Sequence, residues 1–155
     1  MLKFLKNIMN LNAILATKAQ GAMLFNEAEA FSLAKDYKKA FPLMKQSAEL
    51  GNEDALIHAG LMAMKGQGTE CNWLLAAQFF ECSVKQHKYP VNIHLGMLYG
   101  IGGYGLKRDH QKAEKHLQAA IDQDGDETAT AMLDSLQKRK PPFGGKEITR
   151  PQVAW

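Results

Sequence analysis

The sequence predicts an all-α solenoid of seven or eight helices, and three observations carry that reading. First, the segment Ala55-Leu56-Ile57-His58-Ala59-Gly60-Leu61-Met62-Ala63 with Gly66-Gln67-Gly68 returns 36 residues later as Val91-Asn92-Ile93-His94-Leu95-Gly96-Met97-Leu98-Tyr99 with Gly102. A fixed period of this length marks stacked supersecondary units, each completed by its neighbours. Second, small residues recur in register at Ala40, Ala76 and Ala113, and seven places on at Ser47, Ser83 and Ala120. The intervals are 36 and then 37, the extra residue falling in Gly102-Gly103-Tyr104-Gly105. Third, Gly60 and Gly96 sit inside apolar helical patterns, where each costs about 1 kcal/mol relative to alanine and so needs a packing reason.

Taken in order, the first element spans residues 3–16, where Phe4, Ile8, Leu11 and Leu15 fall on one helical face. Met1-Leu2-Lys3-Phe4-Leu5-Lys6 begins like a signal peptide, but Asn7, Asn10 and Asn12 break the apolar run. The preferred reading is an amphipathic helix docked on or beside the first repeat, with a cleaved signal as the alternative. Helices follow at 21–34 and 37–50, the second behind an N-cap at Asp36 and stopped by Gly51. Further helices are expected at 53–65, 73–87 and 90–101, then at 110–123 between Asp109 and Gly125, and at 126–137. After Lys140, Pro141-Pro142-Phe143-Gly144-Gly145 ends the helical pattern, and the tail reads as extended, with Phe143 and Trp155 as candidate anchors. The organisation is therefore an N-terminal helix in 1–20, a repeat domain in 21–137 and a basic tail in 138–155. Within the domain, the repeats lie near 37–54 (partial), 55–90 and 91–127. A membrane-spanning helix is excluded, because about 18 to 20 consecutive apolar residues are needed.

These residues resemble the Sel-one-like repeat family, relatives of the tetratricopeptide repeats. Its units read A-x-x-x-L-G-x-x-Y-x-x-G-x-G-V-x-x-D-x-x-x-A, followed by a second helix ending in A-A-x-x-G. One copy here offers Val91, Leu95, Gly96, Tyr99, Gly102, Gly105-Leu106, Asp109 and Ala113; the other offers Ala55, Ala59, Gly60, Ala63, Gly66, Gly68, Asn72 and Ala76. Ala63 stands in for the usual aromatic, Thr69 for valine and His87 for glycine. The resemblance covers roughly residues 37–133. It implies a right-handed α/α superhelix that binds proteins, as adaptor or scaffold. It also implies an alternative as an immunity protein neutralising a secreted antibacterial effector, and more remotely a β-lactam-binding or hydrolysing enzyme.

Composition narrows the classes. At 155 residues and 46% hydrophobic content the chain is one ordinary domain, read as a monomer. Residues 1–20 carry three lysines and no acid, and residues 138–155 carry five basic groups and one acid. Removing +3 and +4 at the two ends from the total of +3 leaves −4 for residues 21–137. A mildly acidic repeat body is a poor phosphate tracker, so nucleic acid is not an expected partner. Cys71 and Cys82 would be separated by about 13 Å along one helix, too far for a disulfide, which favours a cytoplasmic location. A periplasmic location is the alternative if the N-terminal segment is cleaved.

Enzymatic function is not expected. His58 and His94 hold equivalent repeat positions about 10 Å apart, no HExxH, CxxC, G-x-S-x-G or Walker spacing is present, and the Gly-Gln-Gly and Gly-Gly-Tyr-Gly loops link helix to helix, not strand to helix as a dinucleotide fingerprint requires. No catalytic residue, metal or cofactor is therefore assigned. Recognition of a protein remains. In an α/α superhelix the first helix of each repeat lines the concave wall, which places His58, Met62 and Lys65 beside His94, Leu98 and Ile101, with Leu61 and Met97 adjoining. A methionine-rich wall suits an irregular protein segment.

Overall fold

A computed structural model describes residues 2–84 and 91–138, with the side chains of residues 6, 9–84, 91–123 and 125–138. Seven helices lie in the described residues: α1 (Leu2–Leu33), α2 (Tyr37–Glu49), α3 (Glu53–Lys65), α4 (Trp73–Val84), α5 (Asn92–Ile101), α6 (His110–Asp124) and α7 (Glu127–Lys138). They contain no strand, only an isolated bridge between Gly103 and Leu106. The tail from residue 139, with its candidate anchors Phe143 and Trp155, lies outside the described residues, as does the segment 85–90 with His87.

Local chemistry sets the helix ends. Asn52, Asn72 and Asp109 each accept a backbone N–H three residues on, from Ala55 (3.0 Å), Leu75 (2.8 Å) and Lys112 (3.0 Å). Asp36 takes the N-cap position of α2 without a capping bond; its carboxylate pairs instead with Lys39 at 3.0 Å. Gly66 and Gly125 close α3 and α6 in the left-handed conformation that only glycine enters without strain.

One expected boundary is absent. Residues 3–16 and 21–34 form a single helix, α1, because Thr17-Lys18-Ala19-Gln20 contains no breaker and Gly21 is held inside the helix. The Ser47 hydroxyl donates to the Gly21 carbonyl at 2.6 Å, and a Cβ at Gly21 would lie 3.4 Å from that of Leu50. Of the N-terminal stretch expected to dock on or beside the first repeat, Lys18 lines a cleft with Leu50, Gly51, Asn52, Glu53 and Asp54, while the described side chains of Leu11 and Leu15 make no buried contact. Every described side chain from Met9 to Gln20 is exposed, and burial begins at Gly21.

Packing runs in pairs, α1 on α2, α3 on α4 and α5 on α6, joined through α2–α3, α4–α5 and α6–α7, with α7 also reaching α5. The small residues mark the closest approaches. A Cβ at Gly60 would meet Phe80 at 2.5 Å, and one at Gly96 would meet Leu117 at 2.5 Å. Ala40, Ala76, Ala113, Ser47, Ser83 and Ala120 are all buried. The linkers also join repeats. In 66–72, a Cβ at Gly68 would fall 1.9 Å from the Tyr37 carbonyl oxygen at the start of α2. In 102–109, the Tyr104 carbonyl accepts the Trp73 N–H at 3.0 Å, the two rings 5.3 Å apart, at the start of α4. The linker 34–36 is too short to make such a hook.

Candidate functional site

Turned at about 100° per residue, α3 and α5 bury the same arc and leave the same arc open. On α3 the covered arc holds Ala55, Leu56, Ala59, Gly60, Met62, Ala63 and Met64. Its open side carries Asp54, Ile57, His58, Leu61 and Lys65. On α5 the open side carries Ile93, His94, Met97, Gly100 and Ile101.

This geometry corrects two of the six expected groove residues. Met62 is 5% exposed and Leu98 0%, so both are core, because their positions fall about 40° inside the arc covered by neighbouring helices. Their adjoining residues Leu61 and Met97 take the open positions, half-buried at their bases. His58 is exposed, its ring edge-on to Phe25 of α1 at 5.6 Å. Lys65 is exposed, and Ile101 is 38% exposed. His94 is half-buried with its ring 5.3 Å from Phe80. Burial first, and then the Lys65 charge, hold its imidazole below the ordinary histidine value.

The open stripe of α5 continues into a cleft of about 280 Å³. Met97, Gly100 and Ile101 form one wall, and Met132, Ser135 and Leu136 of α7 the other, with Leu117 of α6 and Arg108 also lining it. Gly100 leaves room for this space. Met64, its counterpart on α3, is a buried side chain at the same register. Sequence reasoning did not assign the α7 wall, whose only signal was the apolar spacing Ala129, Met132, Leu133 and Leu136.

A polar cluster lies on the opposite side of α5. The Tyr99 hydroxyl donates to Glu81 of α4, and the Lys112 ammonium of α6 lies 3.3 Å from the Tyr99 oxygen, 3.7 Å from Glu81 and 4.6 Å from the Tyr99 ring. His116 stacks on Tyr99 at 6.1 Å and bonds Asn92 at 2.9 Å, while Asn92 donates to Gln123 at 3.0 Å. Burial first, then the bond to Glu81, raise the Tyr99 phenol, so it keeps its proton and ties α4, α5 and α6 together. The Cys71 thiol is likewise raised by burial and donates to the Met64 carbonyl at 3.0 Å. Neither arrangement presents an activated nucleophile. Among the described residues, no three His, Cys, Asp or Glu side chains gather as a metal set.

Comparison with known proteins places the fold. The solved structure of c5321, a protective antigen present in uropathogenic Escherichia coli strains displaying an SLR fold, matches with a TM-score of 0.66 at 20% identity, over 82% of this chain and 28% of that one. A Sel1 repeat protein from Oxalobacter formigenes matches with a TM-score of 0.64 at 22% identity, over 74% of this chain and 48% of that one. The chain thus spans less than half of either. No family model and no curated protein matches the sequence. The fold is that of the Sel-one-like repeat solenoids.

Proposed function

We propose that this chain is a non-enzymatic protein-binding module, an adaptor or scaffold that takes an apolar segment of a partner protein in the cleft between α5 and α7. The observation that carries the reading is the cleft itself: adaptable Met97 and Met132 face each other across a space of about 280 Å³, continuous with the open stripe of α5. The helical-repeat fold supports it, since stacked repeats present extended binding surfaces. The same cleft would serve an inhibitor of a single effector, and the partner's activity in the complex separates the two roles.

The test begins with a photo-crosslinking residue at Ile101 to capture the partner, followed by titration of the purified pair. Met97→Ala with Met132→Ala is expected to weaken binding tenfold or more, about 1.4 kcal/mol, in a chain that stays folded. Undiminished affinity, with loss on removing residues 139–155, moves the site from the cleft to the tail.

A further inference from the structure

Every described side chain in the first half of α1 is exposed. Met9, Leu11, Ile14 and Leu15 are 70%, 56%, 54% and 55% exposed, against 45% for Leu74 of α4 and 38% for Ile101 of α5. The body meets α1 from Lys18, which shares a cleft with Leu50, Gly51, Asn52, Glu53 and Asp54, and grips it at Gly21 through Ser47 and Leu50. Residues 2–17 therefore project by roughly 24 Å, at 1.5 Å per residue.

Residue types divide around this segment. By helical register, Leu2, Phe4, Leu5, Ile8, Met9, Leu11, Leu15, Ala16 and Ala19 fall in one arc of about half the circumference, interrupted by Asn12. Lys3, Lys6, Asn7, Asn10, Thr17 and Lys18 fall in the other, with Ile14 the apolar member among them. Residues 1–20 contain no acidic group.

We propose that residues 2–20 of α1 form a surface-seeking helix that docks the repeat body on a bilayer rich in anionic lipid headgroups. An apolar arc this wide fits shallow burial at the headgroup boundary, and a lysine-bearing opposite face is what an anionic surface attracts. A second copy of the chain is the weaker occupant, because a cationic helix with no acid offers its twin no opposite charge. The body between residues 21 and 137 carries −4, yet the projection exceeds a Debye length of about 8 Å at physiological salt, so the repulsion it feels is screened. No helix among the described residues is long and apolar enough to cross a membrane, so the contact is with the surface.

Co-sedimentation of the full chain with vesicles decides the matter. Binding is expected to phosphatidylcholine vesicles containing one third phosphatidylglycerol, to fall with added salt, and to be at least tenfold weaker on pure phosphatidylcholine. Leu11→Asp with Leu15→Asp, both at exposed positions, is expected to reduce binding at least tenfold while the thermal melt of the body is unchanged. Lys3→Glu with Lys6→Glu is expected to reduce it to a similar degree. Absence of binding to the anionic vesicles overturns the proposal. So does retention of binding in the Leu11→Asp, Leu15→Asp chain, which transfers the contact to the basic tail. A wild-type dimer in sedimentation equilibrium that these aspartates dissociate, without vesicle binding, assigns the face to a second copy instead.

Discussion

Helices α3 and α5 are the same element written twice, and they differ most in their last turn. Along the open arcs the pairs are Ile57 and Ile93, His58 and His94, Leu61 and Met97, and only then Lys65 and Ile101. Along the covered arcs, bulk is exchanged around two fixed glycines, Ala59 becoming Leu95 and Ala63 becoming Tyr99, and at the edge of the arc the buried Met64 becomes Gly100 on the open side. The Tyr99 exchange brings the polar tie to Glu81 and Lys112. The loss of a side chain at position 100 opens the cleft to α7. A repeat scaffold can thus hold its packing contacts constant and change a binding surface by emptying one register position.

The largest expected effect breaks what the two helices share. Gly60→Leu or Gly96→Leu places a side chain where a Cβ alone would stand 2.5 Å from Phe80 or Leu117. The overpacking costs on the order of 1 to 3 kcal/mol, and at roughly 2 to 4 °C per kcal/mol it lowers the melting temperature of each variant by several degrees. Unchanged melting for both would show that the repeated glycines are not contact points.

The next makes α5 resemble α3. A Cβ at Gly100 would be 3.7 Å from Ala113 and from Leu136, ordinary contact distances, so Gly100→Met can enter the cleft as Met64 occupies its own register. Partner affinity is expected to fall tenfold or more. Calorimetric stability should stay level or rise by up to about 1 kcal/mol, since glycine is a poor helix former. A binding loss accompanied by unfolding would break the analogy.

A smaller effect sharpens the contrast. Ile57→Ala with Leu61→Ala removes the open apolar pair of α3 and is expected to change partner affinity less than threefold, about 0.65 kcal/mol. The Met97 and Met132 pair should cost tenfold. Equal losses in the two titrations would spread the site over both repeats.

The smallest concerns pH. Burial holds His94 and His116 below the ordinary value of 6.5; Lys65 adds to this at His94, whereas at His116 Glu81 opposes it and Lys112 and Lys115 assist. Near and below that value the unfolded chain binds more protons than the folded one. Their contribution to stability is therefore complete above about pH 6.5 and drains as pH falls through it toward the folded pKa. Chemical denaturation between pH 7 and 5 should show this slope, flattened in His94→Gln.

Much of the repeat body was legible in the sequence because small residues at fixed spacing report backbone proximity, which Gly60, Gly96 and Ser47 do directly. The cap at Asp109 was legible for a similar reason, being short-range chemistry, whereas Asp36, also read as a cap, pairs with Lys39 instead. The fate of residues 17–20 was not, since whether two helices fuse depends on the grip that Ser47 and Leu50 take on Gly21 from a different helix. Of the six expected groove positions, Met62 and Leu98 lie just inside the covered arc. A shift of about 40° in register decides between core and surface, and the width of the covered arc is set by neighbours that a single helix pattern does not contain. The α7 wall was missed because α7 lies past the second full copy of the repeat.

The hooks from linkers 66–72 and 102–109 give the stack a direction in time. The α1–α2 pair receives its backbone contact at Tyr37 only when Gly68 has been made, and Trp73 receives the Tyr104 carbonyl only after residue 104. During synthesis at about 5 to 20 residues per second, each finished pair waits seconds for the next linker to arrive. The growing end therefore always displays one unlatched pair, and the earliest nascent chain to bury Trp73 fully is one that has already emerged beyond the second full repeat's first helix.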